Sequence, residues 1–441
     1  MNSPFQRGAG GINTVFILFF NFVFSSLFSQ EINKTAIYKY ARSVVDTMSS
    51  ENMHGRGYVN EGDKIAAGYI SNEFKKFGLR SFTDNYYQNF SFPINTFPSA
   101  MSVEIDSKKL IAGKDYILKG SSGGLSGTFE IIHFNSNILK SKKLLRRFYK
   151  TNFSDKVVLI DKSNLDLKNG DVGNLMDVFG AISAKAKGVV FVEDKLTAEF
   201  STYQVSYLLM EILRSSFSGN EKSISVNIQN KFIPDHESQN IIGYVEGSVY
   251  PDSFIVFSAH YDHLGQMGKD IYFPGANDNA SGCAMLLNLA GYYSIPANKP
   301  KCSIAFIAFG AEEVGLLGSK YYTEHPLFPL KNIKFLLNMD IMGTGEEGIT
   351  VVNGSVFKKE FNDLAKINSE NKYLKDIKVR GKAAISDHYF FSENGVKAFF
   401  IYTMGGIKAY HDIYDKAETL PLNEFEDLFK LITKFGDGLQ N

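Results

Sequence analysis

The chain of 441 residues contains no tryptophan, only two cysteines and no surplus of charge of either sign. Two cysteines can form at most one disulfide bond, so a framework of several bridges is excluded. Lysine plus arginine and aspartate plus glutamate both total 47, which gives a formal net charge of zero. This balance gives no sign of a nucleic acid or an anionic membrane surface as a partner. We draw no conclusion from the missing tryptophan.

The positions of the two cysteines argue against the one possible disulfide. Cys283 lies near the start of a predicted helix, and Cys302 opens the strand that follows it. At a rise of about 1.5 Å per residue, the helix between them holds the two sulfur atoms beyond bonding distance. We therefore predict two buried, unpaired thiols.

The apolar run near the N-terminus is too short for a comfortable membrane span, which takes about 20 residues. This run covers residues 15–24, is interrupted only by Asn21, follows Arg7 and precedes the small residues Ser25 and Ser26. That order is typical of a secretory signal peptide. We predict that residues 1–30 are a signal peptide, that the chain is exported to the periplasm or secreted, and that no stable membrane insertion follows cleavage. An uncleaved anchor is the alternative.

The rest of the chain has the composition and pattern of an α/β protein. An apolar share of 44% indicates a globular protein with an ample core. From residue 240 onward the predicted strands are continuously apolar, which is typical of strands covered by helices on both faces. The strands are NIIGYVEG (240–247), FIVFSA (254–259), IAFIAF (304–309), FLLNM (335–339), ITVVN (349–353) and AFFIYT (398–403). We predict a mostly parallel central sheet sandwiched by helices.

A different pattern interrupts this fold. Helical periodicity covers residues 36–47 and 64–77, but from about residue 94 to 233 the chain turns to short β-like runs. Those runs are GTFEIIHF (127–134), KVVLID (156–161) and GVVFVE (188–193), with a helical stretch at 174–187. We therefore predict that residues 31–93 and 234–441 form the main domain, and that residues 94–233 form an inserted, smaller, β-rich α/β domain.

Charged side chains and imidazoles follow the predicted strands of the main domain. Because ligands bind outside the carboxyl ends of strands in open α/β sheets, we expect these groups to meet in one crevice. The group consists of His260, Asp262, His263, Asp278, Glu312, Glu313, Asp340, Tyr410, His411 and Asp412. Asp278 lies in the glycine- and asparagine-rich loop PGANDNASG rather than at a strand end.

A divalent cation explains this gathering of charge. Several carboxylates in a dry crevice would repel one another and raise one another's pKa, and a cation removes that repulsion. Imidazole and carboxylate ligands without thiolates suit zinc or a related metal with open positions for water. Five ligands with one shared carboxylate suit two metals about 3.5–4 Å apart.

Each residue also has a purely structural explanation when taken alone. Glu312 and Glu313 are also what an exposed helix N-terminus favours, and His260 is also what a hydrogen-bonded core histidine looks like. Asp340 and Asp278 suit a helix cap and a turn. Five independent coincidences at successive strand ends are nevertheless a poorer explanation than one site.

The motifs at these residues resemble the two-zinc aminopeptidases of the bacterial leucyl aminopeptidase type, which are related to glutamate carboxypeptidase and the transferrin receptor. The motifs are AHYDHLG, PGANDNASG, FGAEEVGLLGS, LNMDIMG, SDHYFF and YHDIYD, in the family's order, within residues 240–416. HGRG and the helix after it, at residues 54–78, also look like the family's N-terminal segment. The KVVLID, helix and GVVFVE arrangement of the inserted block resembles a protease-associated domain, which implies a cover over the cleft.

The resemblance implies a role for each site residue. Two zinc ions per chain would be bound by His260, Asp278, Glu313, Asp340 and His411, with Asp278 bridging both. Glu312 would be the general base, Asp262 would orient His260 through its second ring nitrogen, and Tyr410 would face the tetrahedral intermediate. It also implies a cis peptide bond between Asp278 and Asn279. His411 departs from the family pattern in being followed by Asp-Ile-Tyr-Asp, which alters the rim of the pocket.

The expected activity is therefore zinc-dependent hydrolysis of the N-terminal peptide bond of peptides with a free N-terminus. One alternative is a carboxypeptidase acting on acidic C-terminal residues, which needs basic groups; Arg380 is the only arginine in residues 240–441 and argues against it. A glutaminyl cyclase uses a single zinc, and a receptor-like protein without catalysis would have lost ligands. The complete ligand set disfavours both.

Overall fold

In the computed structural model, residues 34–163 and 178–440 are described. The α-helices there are α1 (Lys34–Met48), α2 (Gly62–Lys76), α3 (Ser136–Leu139), α4 (Lys142–Tyr149), α5 (Ser281–Ser294), α6 (Leu317–Glu324), α7 (Lys358–Asn371), α8 (His388–Glu393) and α9 (Phe425–Gly438). Residues 178–183 are also helical. The predicted signal peptide at residues 1–30 and the first part of the helix predicted at 174–187 lie outside the described residues.

The strands belong to two large sheets and one small ribbon. They are β1 (Arg80–Ser81), β2 (Tyr87–Thr96), β3 (Ser102–Ile105), β4 (Lys108–Leu110), β5 (Tyr116–Leu118), β6 (Leu125–Phe134), β7 (Lys156–Asp161), β8 (Gly188–Glu193), β9 (Leu208–Leu213), β10 (Ser223–Ile228), β11 (Lys231–Val245), β12 (Tyr250–His260), β13 (Gln266–Met267), β14 (Ile271–Tyr272), β15 (Cys302–Phe309), β16 (Ile333–Met339), β17 (Gly348–Val352), β18 (Ile377–Val379) and β19 (Ala398–Met404).

The first sheet has the order β1-β11-β15-β12-β16-β19-β17-β18, and β2 also pairs with β11. Its four central strands, β15, β12, β16 and β19, are mutually parallel. The strands that flank them, β11 and β17, run antiparallel to their inner neighbours. The predicted α/β fold with a central parallel sheet between helices is confirmed.

Alternate residues of the central strands pack into two different hydrophobic cores. In β12, Ile255 and Phe257 belong to the core that includes α1, α2, α5 and α9. Phe254 and Val256 belong to the opposite core, beneath α6 and α8. Because side chains alternate across a strand, burial on both faces requires an apolar residue at every position. This explains the uninterrupted apolar run Phe254–Phe257 within β12.

The second sheet is built from strands between residues 102 and 228, in the order β4-β3-β10-β6-β7-β8-β9-β5. It has hydrophobic cores on its two faces, with Val157 and Leu159 of β7 in one and Val158 and Ile160 in the other. The chain leaves the first sheet through β2 and returns through β11, and these two long strands pair with each other. The division into residues 31–93 with 234–441 and residues 94–233 stays a prediction.

Both cysteines are buried and unpaired, as predicted. Cys283 lies in the first turn of α5, and Cys302 begins β15. None of the helices in the described ranges combines the length and apolar character that crossing a membrane requires.

Candidate metal centre

The central parallel strands deliver the candidate ligands to one edge of the first sheet. His260 is the last residue of β12, Asp340 directly follows β16, and Glu313 follows β15 after a short turn. His411 lies in the loop after β19, and Asp278 lies in the turn Ala276–Ala280 before α5. The carboxyl ends of parallel strands lie at a common edge, so residues far apart in the sequence come together there.

The carboxylate of Asp278 lies between two histidines. Its Oδ1 atom is 3.4 Å from Nε2 of His260, and its Oδ2 atom is 3.1 Å from Nε2 of His411. The same Nε2 of His260 is 3.4 Å from Oδ1 of Asp340. The same Nε2 of His411 is 3.1 Å from Oε2 of Glu313. Each oxygen of Asp278 therefore faces a separate pair made of one histidine and one further acid.

These spacings suit the ligands of a metal ion as well as they suit hydrogen bonds. Two ligand atoms that each lie about 2.0–2.1 Å from one tetrahedral zinc ion are about 3.3 Å apart. Candidate ligand atoms of His260, Asp278 and Asp340 all lie within 4.8 Å of one another. Oδ1 of Asp340 is buried and has no hydrogen-bond partner among the described residues, as a metal-binding oxygen would. The donor set, imidazole nitrogens and carboxylate oxygens, is the one zinc accepts.

A chain of buried hydrogen bonds fixes the carboxylate of Asp340. The Ser386 hydroxyl donates to Oδ2 of Asp340 at 3.3 Å, and Nδ2 of Asn338 donates to the Ser386 oxygen at 2.7 Å. Ser258 donates to the amide oxygen of Asn338 at 2.8 Å. Every hydroxyl and amide in this chain therefore has a partner, which leaves Oδ1 of Asp340 directed to the centre.

Asp262 holds the turn that carries the two glutamates. Its carboxylate accepts the backbone N–H of Glu312 at 3.1 Å, the backbone N–H of Glu313 at 3.3 Å and the hydroxyl of Tyr58 at 3.1 Å. Nδ1 of His260 is 3.7 Å from the nearer carboxylate oxygen of Asp262 and only 3.2 Å from its backbone oxygen. Asp262 therefore contacts His260 mainly through its main chain and the glutamate turn through its side chain.

His263 supports the other glutamate. Its Nδ1 atom is 2.8 Å from Oε1 of Glu313, and its side chain is buried. Gly275, with φ of +58°, passes so close to the His263 ring that a Cβ atom there would lie 2.3 Å from it. A glycine is required at this position both for the backbone conformation and for the space.

A buried arginine holds the turn that carries Asp278. The guanidinium of Arg56 donates to the backbone oxygens of Pro274, Gly275 and Asp278, at 2.7, 2.7 and 3.2 Å. It also donates to the backbone oxygens of Tyr261 and Met48. The carboxylate of Asp415 accepts the N–H of Asp278 from the opposite side at 3.0 Å. The Asp278–Asn279 peptide bond is cis, as predicted.

His411 takes its support from the region of the second sheet. Its Nδ1 atom is 3.1 Å from the backbone oxygen of Ala198, and the backbone N–H of Ala198 donates to the His411 oxygen at 2.9 Å. Nζ of Lys195 donates to the backbone oxygen of Tyr410 at 3.1 Å and lies 3.4 Å from the Asp412 carboxylate. Two segments about 213 residues apart in the chain therefore fix this histidine jointly.

The two adjacent glutamates have opposite electrostatic environments. Burial raises the pKa of Glu312 well above its ordinary value, and the neighbouring carboxylates of Asp387 and Glu313 add to the increase. Burial also acts on Glu313, but its contacts with His411 and His263 outweigh burial and lower its pKa to about 2. Glu313 therefore stays ionised, as a metal ligand must, whereas Glu312 accepts a proton readily.

A cavity of about 320 Å³ opens beside the centre. Asp278, Glu312 and Asp340 lie in its wall together with Arg380 and several apolar and aromatic side chains. Tyr410 also lies there and stacks on the His411 ring, with centroids 4.0 Å apart and an angle of 15° between the planes. The aromatic ring lies against the histidine, and 44% of Tyr410 is exposed.

All eight site residues predicted from the sequence lie in or around this centre. Arg56, Tyr58 and the backbone of Ala198 were given no role in advance, although HGRG marked the segment of the first two. The sequence also predicts no role for His263, or for Ser386 within the motif SDHYFF. The signal for these residues was weak because they act on the ligands through backbone atoms or single hydrogen bonds.

The chain is similar to a known protein family and to several known proteins. Residues 240–436 match the model of peptidase family M28. The aminopeptidase YwaD of Bacillus subtilis (strain 168) is 28% identical over 317 residues, which cover 70% of this chain and 63% of YwaD. A probable zinc metalloprotease of Pyricularia oryzae is 35% identical over 113 residues, 25% of this chain and 22% of that protein. The chain thus spans less than two thirds of the length of these curated relatives.

Two solved structures share the fold over nearly the whole chain. BSAP, a zinc aminopeptidase from Bacillus subtilis, superposes with a TM-score of 0.67 at 22% identity, covering 90% of this chain and 94% of that one. The peptidase M28 precursor from Shewanella amazonensis SB2B superposes with a TM-score of 0.65 at 16% identity, covering 93% and 97%. At these identities the likeness establishes the fold.

Proposed function

We propose that the chain is an exported aminopeptidase of peptidase family M28, whose model matches residues 240–436, and that it binds two zinc ions per chain. The observation that carries this proposal is the position of Asp278, whose two oxygens face two separate histidine–acid pairs. One pair is His260 with Asp340, and the other is His411 with Glu313. A carboxylate in this position would hold two metal ions close together, as in the two-metal sites of hydrolases.

Each pair would bind one zinc ion, and Asp278 would bind both. When bound, such a metal pair polarises the carbonyl of the peptide bond and acidifies water. The relatives named zinc aminopeptidases support zinc as the metal, and the donor set supports the same choice. A free α-amine of the substrate held at the centre would restrict cleavage to the N-terminal bond.

The side chains around the metals would move protons and stabilise charge. Glu312 would accept a proton from the attacking water and deliver it to the leaving amine, a role that suits its raised pKa. The Tyr410 hydroxyl would donate a hydrogen bond to the oxyanion. Asp262 would fix Glu312 and Glu313 by accepting both of their backbone N–H groups.

The signal peptide at residues 1–30 and the protease-associated character of residues 94–233 belong to the same proposal. The inserted region would border the cleft, and the hydrogen bonds between Ala198 and His411 support this role. A substrate would then have to fit between the two parts, which favours short peptides or flexible N-termini.

Replacing Glu312 with Gln tests the proposed mechanism. The variant keeps the size and polarity of the side chain but cannot accept the proton, so we expect kcat to fall by about 10²–10⁴-fold. Zinc content measured by mass spectrometry should stay at the wild-type value, because Glu312 is not a proposed ligand. The substrates are a panel of aminoacyl p-nitroanilides, assayed with and without a chelator.

The matched control is Glu324→Gln at the exposed end of α6, where the glutamate pairs with Lys320. It should retain full activity. An active, zinc-loaded Glu312→Gln variant would refute the assigned base. Hydrolysis of N-blocked peptides with acidic C-termini, but of no aminoacyl substrate, would favour a carboxypeptidase instead.

A further inference from the structure

One positively charged side chain, that of an arginine, lies in the wall of the cavity beside the candidate metal centre. The wall of this cavity contains Arg380, which is the only arginine in residues 240–441. A single arginine in this region argues against a carboxypeptidase acting on acidic C-terminal residues, but the structure places that exposed arginine in the wall of the candidate substrate pocket. Its position makes Arg380 a candidate determinant of substrate specificity.

Arg380 has no acidic partner within residues 34–163 and 178–440. Its Nη1 atom is 3.3 Å from the hydroxyl oxygen of Tyr402, which accepts this hydrogen bond. Arg80 and Arg214, by contrast, each form ion pairs with acids. A guanidinium has five N–H donors, so most of those of Arg380 remain available to a ligand.

The backbone around Arg380 is fixed by the first sheet. Its N–H donates to the backbone oxygen of Val351 in β17 at 2.9 Å, and its oxygen accepts the N–H of Ser355 at 3.3 Å. Tyr402 lies on β19, opposite Thr350 of β17. The arginine is thus anchored at both its backbone and its guanidinium rather than carried on a free loop.

Apolar and aromatic side chains line the same cavity as Arg380. The rings of Phe400 and Tyr402, on the same face of β19, have centroids 5.3 Å apart. Phe400, Ile341 and Ile385 line the same cavity as Asp278 and Asp340. The lining of the cavity therefore combines acids of the metal centre, apolar side chains and one guanidinium.

We propose that Arg380 selects substrates that place a carboxylate in this cavity. This inference rests on the proposed function and specifies the substrate class. The carboxylate is either the side chain of an N-terminal Asp or Glu residue or the C-terminal carboxylate of a very short peptide. A guanidinium binds a carboxylate through two parallel hydrogen bonds, and it repels the ammonium or guanidinium of an N-terminal Lys or Arg.

Steady-state kinetics with matched substrates tests the proposal. For the zinc-loaded enzyme, kcat/KM is measured for the p-nitroanilides of Glu, Gln and Lys, and for Ala-Ala against Ala-Ala amide. We expect either the Glu/Gln ratio or the Ala-Ala/Ala-Ala amide ratio to exceed about ten, because a hydrogen-bonded charge pair contributes on that scale. The ratio that is raised identifies the source of the carboxylate.

Substitution of Arg380 should change that same ratio. Arg380→Gln should lower it by about tenfold, Arg380→Lys should retain part of it, and Arg380→Glu should favour the Lys substrate. The control is Lys382→Gln, which removes a charge two residues away that is already paired with Glu393. It should leave both ratios unchanged. Equal ratios in wild-type enzyme and Arg380→Gln would overturn the proposal.

A binding measurement separates this inference from the proposed activity. Calorimetry on zinc-loaded Glu312→Gln protein, with L-glutamate and L-glutamine as probes, needs no turnover. Tighter binding of glutamate that is lost in the Glu312→Gln, Arg380→Gln double variant supports the carboxylate site even if no aminoacyl substrate is hydrolysed. Equal binding of both probes that stays unchanged in the double variant, beside normal aminopeptidase activity, would overturn the inference and leave the proposed function intact.

Discussion

The two histidines of the candidate centre are supported in different ways. His260 ends a core strand, is 1% exposed, and has its neighbouring acid Asp340 fixed by the Ser386 hydroxyl within the first sheet. His411 lies in a loop with φ of +53°, its side chain is 16% exposed, and its Nδ1 atom meets the backbone of Ala198 from the second-sheet region. We call these the His260 side and the His411 side.

This difference means that one side of the site is supported within the first sheet, whereas the other side depends on a contact with the second-sheet region. On the His260 side, His260 and Asp340 lie at the ends of the paired parallel strands β12 and β16, so the pairing of these strands brings the two residues together. The His411 side requires a contact across about 213 residues of sequence. Changes in the second-sheet region should therefore reach the metal centre through His411 and leave His260 in place.

The largest expected effect comes from the residue that both sides share. Asp278→Ala removes an oxygen ligand from each proposed zinc ion, so zinc content should fall on both sides. Activity should fall by more than the roughly 10–100-fold that loss of a supporting partner causes. Zinc content by mass spectrometry and kcat/KM on an aminoacyl substrate measure the two effects.

Asp363→Ala is the control for this change, because Asp363 is an acid on α7 that pairs only with Lys359 within the described ranges. It should keep wild-type zinc and activity. If Asp278→Ala retained two zinc ions per chain, the bridging role would be wrong.

A second effect concerns how the free energy of unfolding depends on pH. It arises from His388, two residues after Ser386 of the His260 side. Burial lowers the pKa of His388, in α8, to about 4. The unfolded chain binds this proton near the ordinary value of about 6.5, so the unfolded state takes up more protons between pH 6.5 and 4. Stability from this histidine is therefore complete above pH 6.5 and is lost as pH falls to 4, by up to about 3 kcal/mol.

Urea unfolding between pH 4 and 7 measures this loss, and His388→Gln should flatten the curve. The control is His325→Gln, because His325 is exposed at the end of α6 and its variant should keep the wild-type slope. A wild-type slope in His388→Gln would show that other groups cause the acid sensitivity.

The smallest expected effect tests whether the His411 side can be weakened without changing the His260 side. Lys195→Met removes the hydrogen bond to the Tyr410 backbone and the ion pair with Asp412, which hold the loop of His411. Because Lys195 acts one step away from the ligand, zinc affinity on the His411 side should weaken by at most about tenfold. Titration of the zinc-loaded protein with a competing chelator should show one weakened ion and one unchanged ion.

Lys187→Met is a matched control, since it removes an ion pair with Asp155 elsewhere in the second-sheet region. Both ions should keep their affinities in this variant. Equal weakening of both ions in Lys195→Met would contradict the division into two sides.

Much of this architecture is predictable from the sequence because burial on both faces leaves continuous apolar runs. The runs at residues 254–259, 304–309, 335–339 and 398–403 all lie in the central parallel strands. Polar residues at the ends of such runs mark the sheet edge, which is why Asp340 and His260 could be found. The chemistry of the ligands then indicates a metal.

Other features carry no signal that sequence alone can supply. A continuous apolar run indicates burial but not strand direction. The sequence therefore does not predict that β11 runs antiparallel to β15, or β17 antiparallel to β19. The role of Arg56 depends on backbone oxygens, which every residue has. For the same reason, nothing in the identity of Ala198 announces its hydrogen bonds with His411.

Anomalous diffraction at the zinc edge tests the two-metal account most directly. If the centre binds two zinc ions, the anomalous difference map should contain two peaks about 3.5–4 Å apart, one on each side of the Asp278 carboxylate. One peak should lie beside His260 and Asp340, and the other beside His411 and Glu313. A single peak in fully zinc-loaded crystals, or two peaks that do not share Asp278, would contradict it.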